Sequence, residues 1–173
     1  MSSAESRRAN LLQLLQDHGS PLSGSALAKM LGVTRQIIVQ DIALIRADNH
    51  NILSTNKGYI YRADSEKIAQ PMRVVYVRHT TEQVLDEFLT VLELGGTVLD
   101  VAVEHEIYGQ IRVDLLIETE QDARDFVERL AHCKDNPLKV LTDDCHYHTI
   151  AAPSEKLLDL IENALKKNGM LIG

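Results

Sequence analysis

The sequence predicts an α+β chain in two parts. A winged helix-turn-helix over residues 1–64 is followed, across a linker at 65–71, by a ferredoxin-like (split βαβ) sheet domain over 72–173 that carries a histidine-rich metal site. Three observations lead there. Two short helical runs joined by Gly32-Val33 follow a supporting helix. An Asn- and Gly-bearing turn then separates two β-prone runs. The remaining chain alternates strand and helix signals in the order βαββαβ.

The first helix is marked by Leu11, Leu12, Leu14 and Leu15 at helical spacing between Ser6 and Asp17, and Gly19 stops it. A second runs from about Ser23 to Leu31, with Leu27, Ala28 and Leu31 inward. Thr34 is a suitable N-cap for a third helix reaching Ala47, with Ile38, Ile42 and Ile45 as its inner stripe. Ile52-Leu53-Ser54 and Gly58-Tyr59-Ile60-Tyr61 then flank Thr55-Asn56-Lys57-Gly58, a turn in which positive φ is easy. On the third helix Thr34, Arg35, Gln36 and Gln40 lie off the apolar stripe near the N-terminus, and Lys57 sits at the tip of the wing. These residue types read base edges and phosphates in a major groove, so double-stranded DNA is the expected partner. Ile37 and Val39 are also off the stripe, placed either to meet thymine methyls or to pack. Asp41 is expected to tie helix to wing, because a carboxylate repels phosphate.

Charge agrees with this division. The 173 residues carry a net charge of −7, split as +2 over residues 1–64 and −9 over the rest. A mildly basic head on an acidic body can dock on DNA without coating it. No apolar run approaches the ~20 residues a membrane helix needs, Met1–Arg8 holds no secretory signal core, and Cys133 and Cys145 cannot build a disulfide framework. Membrane, secreted and fibrous classes are excluded, and a cytoplasmic location with no membrane partner is the expectation. Cys145 is expected as a buried thiol and Cys133 as packing.

In the second part, Met72–His79 reads as a strand. Thr80 or Thr81 caps a helix to Leu94, strands follow at Thr97–His105 and Gln110–Glu118, and Thr119 caps a helix to Cys133. A strand at His146–Ala152 and a helix from Ser154 to Lys167 complete it, with a short apolar tail after Gly169. Topology gathers histidines at one end of this sheet. His79 ends the first strand, His105 precedes the hairpin turn, and His146 and His148 open the fourth strand on one face. Glu87 leans inward beside Val84, Phe88 and Val91, where a carboxylate is costly unless a cation or strong hydrogen bonds compensate it. Three imidazoles and a carboxylate suffice for Zn²⁺, Ni²⁺ or Fe²⁺, so His79, Glu87, His146 and His148 are the expected ligands of one divalent metal per chain. His18, His50 and His132 are assigned no such role.

The stretches Leu31–Asp41, Arg78-His79-Thr80, Val103–Gly109 and Asp144–Ile150 together resemble the nicotinate-responsive transcriptional repressors of Gram-positive and related bacteria, which join a winged helix-turn-helix to a three-histidine (3H) domain. The resemblance covers residues 5–173; Glu106 and Ile107 depart from the family's commoner His-Pro-Val-Tyr-Gly turn. It implies a non-enzymatic homodimeric repressor of niacin transport, salvage or synthesis genes, with the same four metal ligands, nicotinic acid as effector, and co-repression. His105 and Tyr108, at the rim, are candidates for binding the effector. Two other readings remain at this level: a metal-dependent enzyme of the three-His, one-Glu type, and a repressor that senses the metal itself.

Overall fold

The structure, a computed structural model, describes residues 3–63, 70–134 and 137–172. The chain divides into two compact units, Met1–Ile68 and Ala69–Gly173. Of the linker expected over 65–71, only Gln70 and Pro71 fall within the described residues. Among those residues no helix is long and apolar enough to cross a membrane.

The first unit contains α1 (Ala4–His18), α2 (Gly24–Leu31), α3 (Arg35–Ala47) and a hairpin of β1 (Ile52–Thr55) and β2 (Gly58–Tyr61). Each helix starts on a hydroxyl cap: Ser3, Ser23 and Thr34 accept from the backbone N–H groups of Ser6, Ala26 and Ile37. Gly19 and Gly32 end α1 and α2 in the left-handed conformation that glycine adopts without a Cβ penalty. Leu11, Leu15, Leu27, Ile38, Ile42 and Ile52 meet in one core. The wing is pinned to the segment before α2 by a pair of backbone bonds, Leu22 N–H to Tyr59 O at 2.9 Å and Tyr59 N–H to Leu22 O at 2.8 Å. Gly58 makes this contact possible, since a Cβ there would lie 2.3 Å from the Leu22 carbonyl oxygen at a φ of +132°.

The second unit contains β3 (Met72–Arg78), a 3₁₀ turn (Thr81–Gln83), α4 (Val84–Glu93), β4 (Thr97–His105) and β5 (Gly109–Ile117). They are followed by α5 (Glu120–His132), a second 3₁₀ segment (Leu138–Thr142), β6 (Cys145–Ala151) and α6 (Glu155–Lys167). The 3₁₀ segment before β6 was not expected from the sequence. The four strands form an antiparallel sheet in the order β3-β6-β4-β5. The split βαβ arrangement is present: β3 and β4 run parallel with one antiparallel strand between them. That strand is β6 rather than the hairpin strand β5 of a ferredoxin-like order. Burial explains the choice. His146, His148, Ile150 and Ala151 of β6 are buried, as a central strand requires, whereas β5 is largely exposed over its first half and suits an edge. The apolar tail pairs with the other edge, where Arg78 N–H donates to Met170 O at 2.8 Å.

All three helices share one core with a single face of the sheet, around Phe88, Val91, Val77, Ile150, Leu158 and Ile161. Among the described residues of this unit no helix packs on the other face, which carries the stacked rings of Tyr76 and Tyr147, 4.4 Å apart. Cys145 lies at the start of β6 on that face, paired with Arg78, and is therefore half-buried rather than buried; Cys133 is exposed.

Gly58→Ala is expected to destabilise the first unit by more than about 2 kcal/mol, because it combines a strained φ with a clash against backbone that cannot yield. Thermal unfolding checks this, and an unchanged midpoint would mean that the wing slides off Leu22 at no cost.

Candidate functional site

The register of β3 and β6 builds the site. Val75 lies opposite His148 and Val77 opposite His146, so both histidines face the helices. His79 continues the Val75–Val77 row one step past the end of β3. Thr80 N–H bonds to the Gln83 side chain at 3.0 Å, which fixes where α4 begins and brings Glu87 inward with Val84, Phe88 and Val91. All four polar groups are buried, with Glu87 only 1% exposed. One donor atom from each lies within 4.8 Å of the others.

Hydrogen bonds dictate which ring nitrogens meet. Nδ1 of His79 faces Thr80 O at 2.7 Å, Nδ1 of His146 faces Asp144 O at 3.0 Å, and Nδ1 of His148 faces Asp100 O at 2.5 Å. A carbonyl only accepts, so each Nδ1 carries a proton, and each ring, when neutral, turns an Nε2 lone pair inward. His79 Nε2 lies 2.7 Å from Glu87 Oε2 and 3.2 Å from His146 Nε2; His148 Nε2 is 3.3 Å and His146 Nε2 3.9 Å from the same carboxylate oxygen. Neither Glu87 oxygen receives a hydrogen bond in good geometry. Four tetrahedral donors at ~2.1 Å from one ion would stand about 3.4 Å apart. The donor set and its spacing thus fit a divalent transition metal, which would satisfy lone pairs that otherwise repel one another.

Electrostatics agree. Burial pushes the Glu87 carboxyl up, but the charge on His148 and the close imidazole nitrogens outweigh it and hold the group well below the usual carboxylate range. Burial pushes both His146 and His148 down. It prevails at His146, whereas Glu87 raises His148 above its ordinary value.

A residue that sequence reasoning missed completes the surroundings. Lys139, 5% exposed, donates to His79 O at 2.9 Å and to Asp144 Oδ1 at 2.5 Å. Asp143 and Asp144 adopt positive φ, turning the chain so that Asp144 offers its carbonyl to His146 and its carboxylate to Lys139. Only folding brings Lys139 there, and no helical or strand period marks it. Beside the cluster lies a cavity of about 220 Å³ with apolar walls that include Phe88, Phe126, Val101 and Leu115. His105 and Tyr108 are elsewhere. They sit together on the β4–β5 turn with rings 4.9 Å apart, His105 Nδ1 accepts from the N–H groups of Ile107 and Tyr108, and neither residue lines the cavity.

In the first unit, Arg35, Gln36 and Gln40 are exposed on α3, Thr34 is its exposed cap, and Lys57 is half-buried in the wing turn. Asp41 does not tie helix to wing. It is 2% exposed and holds α1, pairing with Arg7 at 2.6 Å, because its position on α3 faces the first helix. The tie to the wing is Arg46, which donates to Ile52 O and to Ser54 Oγ, each at 2.7 Å.

Comparison with known proteins gives a 3H domain over residues 72–173 and an HTH domain over residues 7–60. The chain is 38% identical over 168 residues to a protein named probable transcription repressor NiaR of Thermotoga maritima, covering 97% of this chain and 94% of the relative. It is 36% identical over 167 residues to a protein named transcription repressor NadR of Bacillus subtilis, covering 96% and 93%.

Arg46→Ala is expected to raise amide hydrogen exchange across Ile52–Tyr61 while α1 stays protected, and Asp41→Asn to loosen α1 instead. Equal effects of the two changes on both segments would contradict the assignment of these ties.

Proposed function

The chain belongs to the 3H-domain family of helix-turn-helix transcription repressors, and from that premise we propose that it represses genes of niacin transport, salvage or synthesis by sensing nicotinate through one divalent transition metal, nickel or zinc with iron as the alternative. The observation that carries the sensing half is the convergence of three imidazole Nε2 atoms on a buried carboxylate whose oxygens have no hydrogen-bond partner. His79, Glu87, His146 and His148 would hold the ion. A bound metal supplies a Lewis-acidic position that a pyridine nitrogen or a carboxylate can fill.

The residues of the chain do the rest. Backbone carbonyls of Thr80, Asp144 and Asp100 fix the ring orientations, and apolar walls flank the ligand face. DNA is read by Thr34, Arg35, Gln36 and Gln40 of α3, with Lys57 on adjacent phosphate. One winged helix spans few base pairs, so operator binding is by a homodimer on half-sites about 10 bp apart or a multiple of that. Nicotinate acts as co-repressor, strengthening operator binding through its preference for the DNA-competent state. His105 and Tyr108, expected at the rim, do not line the cavity beside the cluster and are given no contact with the effector in this reading. The family membership and the DNA-binding head favour this reading over an enzyme.

Titrating operator DNA with and without zinc and nicotinate tests the proposal: affinity should rise with nicotinate only when metal is present. Arg35→Ala should cost about 1–3 kcal/mol of operator affinity and relax specificity at one base. Unchanged binding in both Arg35→Ala and Gln36→Ala would remove α3 as the reader.

His148→Ala should lose tight metal, and with it the nicotinate effect, while basal DNA binding persists. The metal needs neutral imidazoles, and His148 holds its proton above the ordinary histidine value. Zinc uptake by chelator-stripped protein at pH 6.5 should therefore release protons, and affinity should fall as pH drops. Uptake with no proton release at this pH would contradict the paired state of Glu87 and His148.

A further inference from the structure

The cavity beside the four-residue cluster is almost wholly apolar. Among the described residues that line it, Lys139 is the one polar side chain outside the cluster. An ammonium has three N–H donors, and two of those of Lys139 are engaged, by His79 O and Asp144 Oδ1. A buried ligand whose first polar end meets the cluster must find a partner for its second, since an unpaired polar group in such walls is costly.

We propose that Lys139 is the specificity-determining residue of this cavity, reading the carboxylate of an aromatic acid seated there and rejecting the corresponding carboxamide. The inference rests on the reading of the unit as a metal-dependent nicotinate sensor and adds to it the residue that tells acid from amide. Volume agrees: about 220 Å³ admits one six-membered ring with a small substituent. Shape agrees too, with Phe88 and Phe126 5.4 Å apart on one side and Val101 and Leu115 on the sheet side offering flat apolar contact. Asp144, 2.5 Å from the ammonium, partly neutralises it and so sets how strongly an anion is held. His79 is braced by the same ammonium, so ligand contact at Lys139 bears directly on the cluster.

The test is calorimetric titration of zinc-loaded full-length protein, its metal content measured, with nicotinate and with nicotinamide. Wild type should prefer nicotinate. Lys139→Met keeps the apolar stem without the charge and should weaken nicotinate by about ten- to a hundredfold while leaving nicotinamide unchanged. Asp144→Asn removes the neutralising charge and should tighten nicotinate alone. Retention of the wild-type acid-to-amide ratio in a fully metal-loaded Lys139→Met overturns the assignment, as does an Asp144→Asn variant that changes both ligands alike. Should Lys139→Met not retain zinc, Asp144→Asn decides. Failure of wild type to bind nicotinate at all would instead overturn the sensor reading beneath it.

Discussion

Four electron-pair donors converging inside an apolar core constrain everything around them. His79, His146 and His148 each spend their one ring proton on a backbone carbonyl, and Glu87 brings a carboxylate with no hydrogen-bond donor aimed at it. Such an arrangement is unfavourable as it stands, because like lone pairs face each other where water cannot screen them. The fold tolerates it by holding each member rigidly: two from a central strand, one from a strand end, one from a helix. Without a metal, the Glu87 charge draws the His148 pKa above its ordinary value, which offsets part of this repulsion whenever that ring takes up a second proton.

Around that centre, the sheet explains its own asymmetry. The face carrying Val75, Val77, His146, His148 and Ile150 is covered by three helices, whereas the face carrying Tyr76 and Tyr147 is not. β6 occupies the middle because its helix-facing side chains, His146, His148 and Ile150, are all buried and need a neighbouring strand on either side. The 3₁₀ segment and two left-handed aspartates just before β6 deliver Lys139 to the cavity and Asp144 to His146. A short, irregular stretch thus sets the geometry of the most buried residues.

The first unit follows a different economy. Its three capped helices and paired wing resemble many DNA-reading heads, and what individualises it is how charges are used. Asp41, a carboxylate on the helix expected to meet DNA, is withdrawn from the surface and neutralised by Arg7, while Arg46 is diverted to the wing. The exposed remainder of α3 near its N-terminus is Thr34, Arg35, Gln36 and Gln40, a surface of hydrogen-bonding groups without a carboxylate.

Much of this was legible in the sequence because it depends on local rules. Helix caps at Thr34, Thr119 and Ser154, the wing turn, the period of β6 and the inward lean of Glu87 all follow from spacing and side-chain chemistry within a few residues. The cluster itself was legible because strand period and βαββαβ order leave few places for His79, His146 and His148 to go. Tertiary structure alone decided the strand inserted between β3 and β4, the partner of Asp41, the distance of His105 and Tyr108 from the cavity, and the presence of Lys139 within it. Each of these is a contact between segments far apart in the chain or on an irregular loop. There, no periodicity constrains which side chain arrives, and the outcome is set by which packing leaves fewest buried polar groups unpaired.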